Sequence, residues 1–70
     1  MSIALSQATF LTDTIKGHEY VKEHFKLEDV WDIVKNLSEK QYRFILALIY
    51  QKKHHKLREV LSSVGFKNKE

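Results

Sequence analysis

The chain has 70 residues, 43% hydrophobic and 30% charged, with a formal net charge of +3 at pH 7. That length allows one domain with a thin core, covering only about 60% of the surface that the unfolded chain exposes. There is no cysteine, no proline and only two glycines, which excludes disulfide staples, thiolate metal sites and cysteine nucleophiles and leaves little material for tight turns or phosphate-cradling loops. The expected class is all-α, a small bundle of three to four helices, with residues 1–66 as a single helical domain and 67–70 as a polar tail. The composition is too apolar for an intrinsically disordered chain. Its longest apolar run, Phe44 to Tyr50, is too short to cross a membrane, and the amino-terminal segment lacks the basic start of a secretory signal. A cytoplasmic protein is expected.

A first helix is predicted over about 6–16, with Ser6 as its cap, Ala8, Leu11 and Ile15 on one face, and Gly17 at its end. A short helix over about 18–25 follows, because Val21, His24 and Phe25 share a face. The third, over about 28–36, is marked by Leu27, Val30, Trp31, Val34 and Leu37 at helical spacing, with Glu28 and Asp29 placed where a helix dipole favours negative charge.

Ser38-Glu39-Lys40-Gln41 is a capping box, in which the serine hydroxyl accepts from the Gln41 amide and the glutamine side chain reaches back to the Ser38 amide. Leu37 and Tyr42 stand in the matching hydrophobic-staple positions. No breaker follows until Gly65, which is placed to close a Schellman motif with Phe66 packed back on Leu61. The expectation is therefore one long helix over about 38–64. Leu46, Tyr50, Lys53, Leu57, Val60 and Val64 form a seam along it at alternating spacings of four and three. Such a rod is about 40 Å long, and its far half needs cover from the amino-terminal helices or from a second subunit. The alternative is a bend within Gln51–Lys56, where consecutive cationic and titratable side chains repel.

The positive charge is concentrated. Residues 51–70 carry Lys52, Lys53, Lys56, Arg58, Lys67 and Lys69 against Glu59 and Glu70, while acids slightly outnumber bases in the first 50 residues. A basic cluster attracts acidic protein surfaces and phosphate backbones through the same electrostatics. Candidate chemistry is sparse. His54 and His55 are adjacent and project about 100° apart on a helix, so they do not chelate one metal, and His18 and His24 share no face. His54 and His55 read as solvated side chains on a basic helix face, and no metal or cofactor is expected. Ser6, Ser38, Ser62 and Ser63 lie in no glycine-rich elbow. Glu28 and Asp32 share a helix face, which is the ordinary pattern of a solvated surface. No enzyme is expected.

Trp31, Phe25, Phe44 and Tyr42 are the candidate core aromatics, with Trp31 also a candidate interface anchor. Leu57, Val60, Leu61, Val64 and Phe66 are core if the last helix bends back and an exposed docking stripe if it projects.

Residues 27–42, Leu27 to Tyr42, resemble a helix-turn-helix, with Trp31 where that family places a small residue and Phe44, Ile45 and Leu46 where polar base-contacting side chains belong. A second alignment takes Ser38–Ile49 as the leading helix and His55–Gly65 as the helix before recognition. The stretch from Phe25 to Tyr50 is also similar to the NblA family of small helical adaptors for phycobilisome degradation, through Phe25, Leu27, Val34, Asn36, Ser38, Gln41, Leu46 and Tyr50. No functional residue carries over from either family. The expected function is that of a small non-enzymatic regulator, an adaptor or inhibitor, binding another protein or forming a homodimer. The contacts would be Leu57, Val60, Leu61, Val64, Phe66 and Trp31, with Lys52, Lys53, Lys56 and Arg58 steering an acidic partner. The alternative is a DNA-binding regulator of helix-turn-helix type that uses the basic carboxyl-terminal third.

Overall fold

A computed structural model describes residues 2–69. Five helices and one small antiparallel pair of strands follow in the order α1 (Leu5–Lys16), α2 (Glu19–His24), β1 (Phe25–Lys26), α3 (Val30–Val34), α4 (Glu39–Tyr50), α5 (His54–Ser63) and β2 (Lys67–Asn68). The all-α class holds. Helix α1 lies along α3, α4 packs on α5, and α2 joins the end of α1 to α5. One core runs through them, built from Ala8, Leu11 and Ile15 of α1, Val21, Phe25, Val30 and Val34 of the middle segment, Leu37, Ile45, Leu48 and Ile49 around α4, and Leu57, Leu61 and Phe66 at the carboxyl-terminal side.

The long helix expected over 38–64 is two helices. Its start is as predicted: the Gln41 amide donates to Ser38 Oγ at 3.2 Å and the Ser38 amide to Gln41 Oε1 at 2.9 Å, with Leu37 buried and Tyr42 packed against the core. It stops at Tyr50. The Lys53 amide donates to Leu48 O at 3.0 Å and the Lys52 amide to Ile49 O at 3.2 Å, the two bonds of a Schellman motif. Lys52 takes the left-handed residue's place, with φ 56°. The same pair of bonds closes α5, from Phe66 to Leu61 O at 3.0 Å and from Gly65 to Ser62 O at 3.2 Å, with Gly65 at φ 117°. One motif is thus used twice, once with glycine and once with lysine. The first copy turns the chain back, so that the molecule measures 31 × 25 × 20 Å and the exposed rod does not form.

Smaller differences concern the amino-terminal half. Helix α1 begins at Leu5, one residue before the expected cap Ser6. Its cap is Ala4, whose amide donates to Gln7 Oε1 at 2.9 Å, while alanine has no side-chain oxygen to offer in return. Gly17 does end the helix, in right-handed geometry at φ −91°. Helix α3 is shorter than expected. Asp29 makes no capping hydrogen bond, and at the far end Asn36 Nδ2 takes up the Asp32 carbonyl at 2.9 Å.

The two strands replace the expected end of a helix and the expected polar tail. Phe25 pairs with Asn68 and Lys26 with Lys67, so Lys67 and Asn68 belong to the fold, while Glu70 lies outside the described residues. The ladder is extended by the Lys69 amide donating to His24 O at 2.9 Å. Beneath it, Phe25 and Phe66 meet edge to face with ring centroids 5.9 Å apart, a geometry that adds about 1 kcal/mol to the area buried. At the other end, Ser2 bridges to Ser38 and the Ile3 amide donates to Leu37 O at 3.1 Å.

Stability should respond in opposite directions at the two Schellman turns. Lys52→Gly relieves a left-handed lysine, worth about 1–2 kcal/mol, against the greater chain entropy of unfolded glycine, about 0.5–1 kcal/mol. Thermal unfolding followed by circular dichroism should show a rise of a few degrees, whereas Gly65→Ala should lower the midpoint. A Cβ at Gly65 meets nothing nearer than Ile33 at 3.8 Å, so that loss isolates backbone strain. Ala4→Ser completes the capping box of α1 and should add about 0.5–1 kcal/mol in the same measurement.

Candidate functional site

The turn at Lys52 determines what the carboxyl-terminal third offers. With α5 swung back onto α4, Leu57 and Leu61 are fully buried and Phe66 is 4% exposed, while Val60 and Val64 are partly buried against the same core. These five side chains are core, and the docking stripe expected of them does not exist. Every apolar position of α5 faces inward because its period matches the groove beside α4 and α2. What remains outside is cationic. Lys52, Lys53, Lys56 and Arg58 are all exposed.

Their surroundings leave much of that charge uncompensated. Glu59 is the one acid of α5. It lies 3.7 Å from Lys56 Nζ and 3.4 Å from His55 Nε2. Among the described residues, Lys52, Lys53 and Arg58 have no ion-pair partner. No acid stands in the first turn of α5, although negative charge is what a helix amino terminus favours. Beside this face runs an open groove of about 500 Å³ lined by His55, Arg58, Glu59, Ser62 and Asn68. Asn68 Nδ2 donates to Ser62 Oγ at 3.2 Å across it, so β2 supplies one wall. A second recess, between Lys26, Glu28, Asp29, Ile33, Gly65 and Lys67, has a volume of about 10 Å³, room for one water molecule.

Trp31 is 37% exposed on the outer side of α3, which leaves it available as an anchor. The expected aromatic core needs correction. Phe25 is buried and Tyr42 partly so, but Phe44 joins Trp31, Leu5, Phe10 and Tyr50 among the exposed large apolar side chains. Helix α4 buries Ile45, Leu48 and Ile49, and Phe44 lies about 100° around the helix from Ile45.

The histidines differ most from expectation. Only His55 is solvated, its side chain 92% exposed. Three others gather around Tyr20. The Tyr20 ring stacks on His24 at 4.2 Å on one side and on His54 at 4.6 Å on the other. His18 meets His54 edge to face at 5.5 Å. His24 Nδ1 donates to Tyr20 O at 2.9 Å, whereas His18 Nδ1 is buried with no hydrogen-bond partner among the described residues. Burial is the main reason that the His18 imidazole is held below its ordinary pKa. The charge of His54 pushes the same way, and Glu19 opposes both. No periodicity could have shown this cluster, since it forms only where α2 meets the start of α5. Among the described residues no three His, Asp or Glu side chains are grouped as metal ligands.

Residues 38–63 therefore form a helix, a three-residue turn and a second helix. In neither of the helix-turn-helix alignments is α5 the outward helix. The second alignment requires a further helix after Gly65, where the chain instead forms β2. No family model, no curated protein and no solved structure matches this chain.

Proposed function

We propose that this protein is a small non-enzymatic regulator that works by binding, and that its binding element is the α4–turn–α5 unit offered to duplex nucleic acid. The observation that carries this reading is the division of α5 into a buried apolar face and an exposed cationic one. Leu57 and Leu61 are used up inside the fold, so apolar docking through α5 has no side chains left. Lys52, Lys53, Lys56 and Arg58 remain, at the turn and on the outer face. Helix α5, with ten residues, is about 15 Å long and, like any α-helix with its side chains, about 10–12 Å across, a diameter that a major groove about 12 Å wide admits. Lysines at the turn suit phosphates, which give affinity without sequence preference. Arg58, His55 and Ser62 line the outer groove of α5 and have the donor and acceptor groups that read base edges.

A second reading is the regulator that docks on a partner protein. It is supported by the exposure of Trp31, since tryptophan is the residue type most favoured at binding hot spots. The homodimer version through Leu57, Val60, Leu61, Val64 and Phe66 falls with the stripe itself.

Titration of a labelled duplex of about 20 base pairs at several salt concentrations separates the two. Binding should weaken with a log–log slope of about −3, and the combined Lys52→Gln, Lys53→Gln, Lys56→Gln variant should reduce that slope by roughly 0.9 for each phosphate left without its lysine. Trp31→Ala should leave it unchanged. If the duplex is not retained at about 50 mM salt, or the lysine variant binds as the parent does, nucleic-acid binding fails and the Trp31 reading takes its place.

A further inference from the structure

We propose that His18, Tyr20, His24 and His54 form an acid-released latch holding the start of α5, and with it the basic turn, against α2. The inference does not depend on what α5 binds.

The latch is assembled from residues far apart in the chain. Tyr20 is the central plate, stacked between His24 at 4.2 Å and His54 at 4.6 Å, and His18 closes the edge against His54 at 5.5 Å. Neutral rings suit this packing, because they desolvate cheaply and present flat faces to one another. Adding protons changes that for two of the three histidines. His18 is the amino-terminal cap residue of α2 and His54 the first residue of α5. A positive charge at either place lies against the positive end of a helix dipole. Both charged together, their rings 5.5 Å apart, would repel directly. His24 stands at the carboxyl-terminal end of α2, where a cation is tolerated. Its Nδ1 already has a proton engaged with Tyr20 O at 2.9 Å.

Little nearby offsets a charged pair. Glu19 is the acid that acts on His18. Its side chain is mostly exposed and is shared with Lys22 at 3.5 Å. Glu23, also on α2, is solvent-exposed. Of the remaining charged groups on the neighbouring elements, Asp13 of α1 and Glu59 of α5 are exposed acids, and the others are cations: Lys16 at the end of α1, Lys52, Lys53, Lys56 and Arg58 at the turn and on α5, Lys26 of β1, Lys67 of β2, and Lys69, whose Nζ donates to Lys22 O at 2.7 Å. His55 is turned toward Glu59 on the opposite side.

The sign follows from His18. The fold favours its neutral form, so its ordinary value of 6.5 applies to the unfolded chain and the folded one lies lower. The stabilisation is complete above 6.5 and is lost as the pH falls through that value toward the folded one. The loss is directed at one contact, between α2 and α5, because that is where the rings meet.

Amide hydrogen exchange of the full chain at about pH 7.5 and about pH 5.5, corrected for intrinsic rates, together with nuclear magnetic resonance titration of the histidine rings, tests the latch. The Leu57 amide, whose bond to Lys53 O closes the first turn of α5 at 2.9 Å, should lose protection by about tenfold at the lower pH, while Leu11 and Ile15 of α1 change by less than about twofold. His18 should titrate below 6.5, and the Tyr20 and His54 resonances should shift with it. His54→Gln and His18→Gln should abolish the selective loss, and His55→Gln should retain it. If His18→Gln does not fold, the His54→Gln variant and the titration of the unsubstituted chain decide. A His18 titration at or above 6.5, or a loss of protection shared equally by α1 and α5, overturns the proposal.

Discussion

A helix carried straight from Glu39 to Val64 would hold Leu57 and Leu61 beyond the reach of α1 and α2, and the rest of the molecule would have nothing to close against. The reversal at Gln51–Lys53 removes that problem at the expense of one strained residue. A left-handed lysine costs about 1–2 kcal/mol, whereas burying two leucines is worth about 1.5–3 kcal/mol each. The balance favours the turn, and the two Schellman hydrogen bonds leave few helix-end carbonyls unsatisfied. Everything characteristic of the carboxyl-terminal half depends on this reversal. It buries the apolar face of α5, aims the cations outward, brings His54 to Tyr20, and delivers Phe66 to Phe25.

That arrangement sets local electrostatics against global packing. The turn concentrates Lys52, Lys53, His54, His55 and Lys56 around one helix amino terminus, the end of a helix least suited to positive charge. Packing of Leu57 and Leu61 overrides the repulsion. An unfavourable charge distribution held in place by a core is one that a polyanion relieves and a proton aggravates. The proposed binding by the basic face and the proposed release of the histidine cluster would thus draw on the same local frustration, with opposite sign.

The readable and unreadable parts of this fold divide by the range of the interactions that make them. Ser38 with Gln41 and Gly65 with Phe66 signal through residues close together in the chain, and both helix ends stand where the residues place them. The break after Tyr50 uses the same hydrogen bonds as the one at Gly65, but Lys52 occupies the left-handed site, and a lysine there has no mark by which to recognise it. Two-residue strands show no alternation, so Phe25–Lys26 and Lys67–Asn68 look like the end of a helix and a polar tail. The basic side chains of the candidate site are legible from composition alone. The inward turn of Leu57, Leu61 and Phe66 is not, because it follows from the reversal. The aromatic cluster is least accessible, since α2 and α5 are separated by much of the chain.

The short ladder between Phe25–Lys26 and Lys67–Asn68 has a kinetic counterpart. Closing a loop of roughly 40 residues costs about 3 kcal/mol of chain entropy, more than the few net hydrogen bonds of a two-residue ladder return at about 1 kcal/mol each. The strands cannot nucleate folding. In the native structure they meet where α5, packed on α4, carries Phe66 to Phe25, so the ladder depends on that packing. A contact that closes after such packing would, when weakened, speed unfolding and leave the folding rate nearly unchanged, so this small pair of strands is expected to set how long the native state persists more than how quickly it is reached.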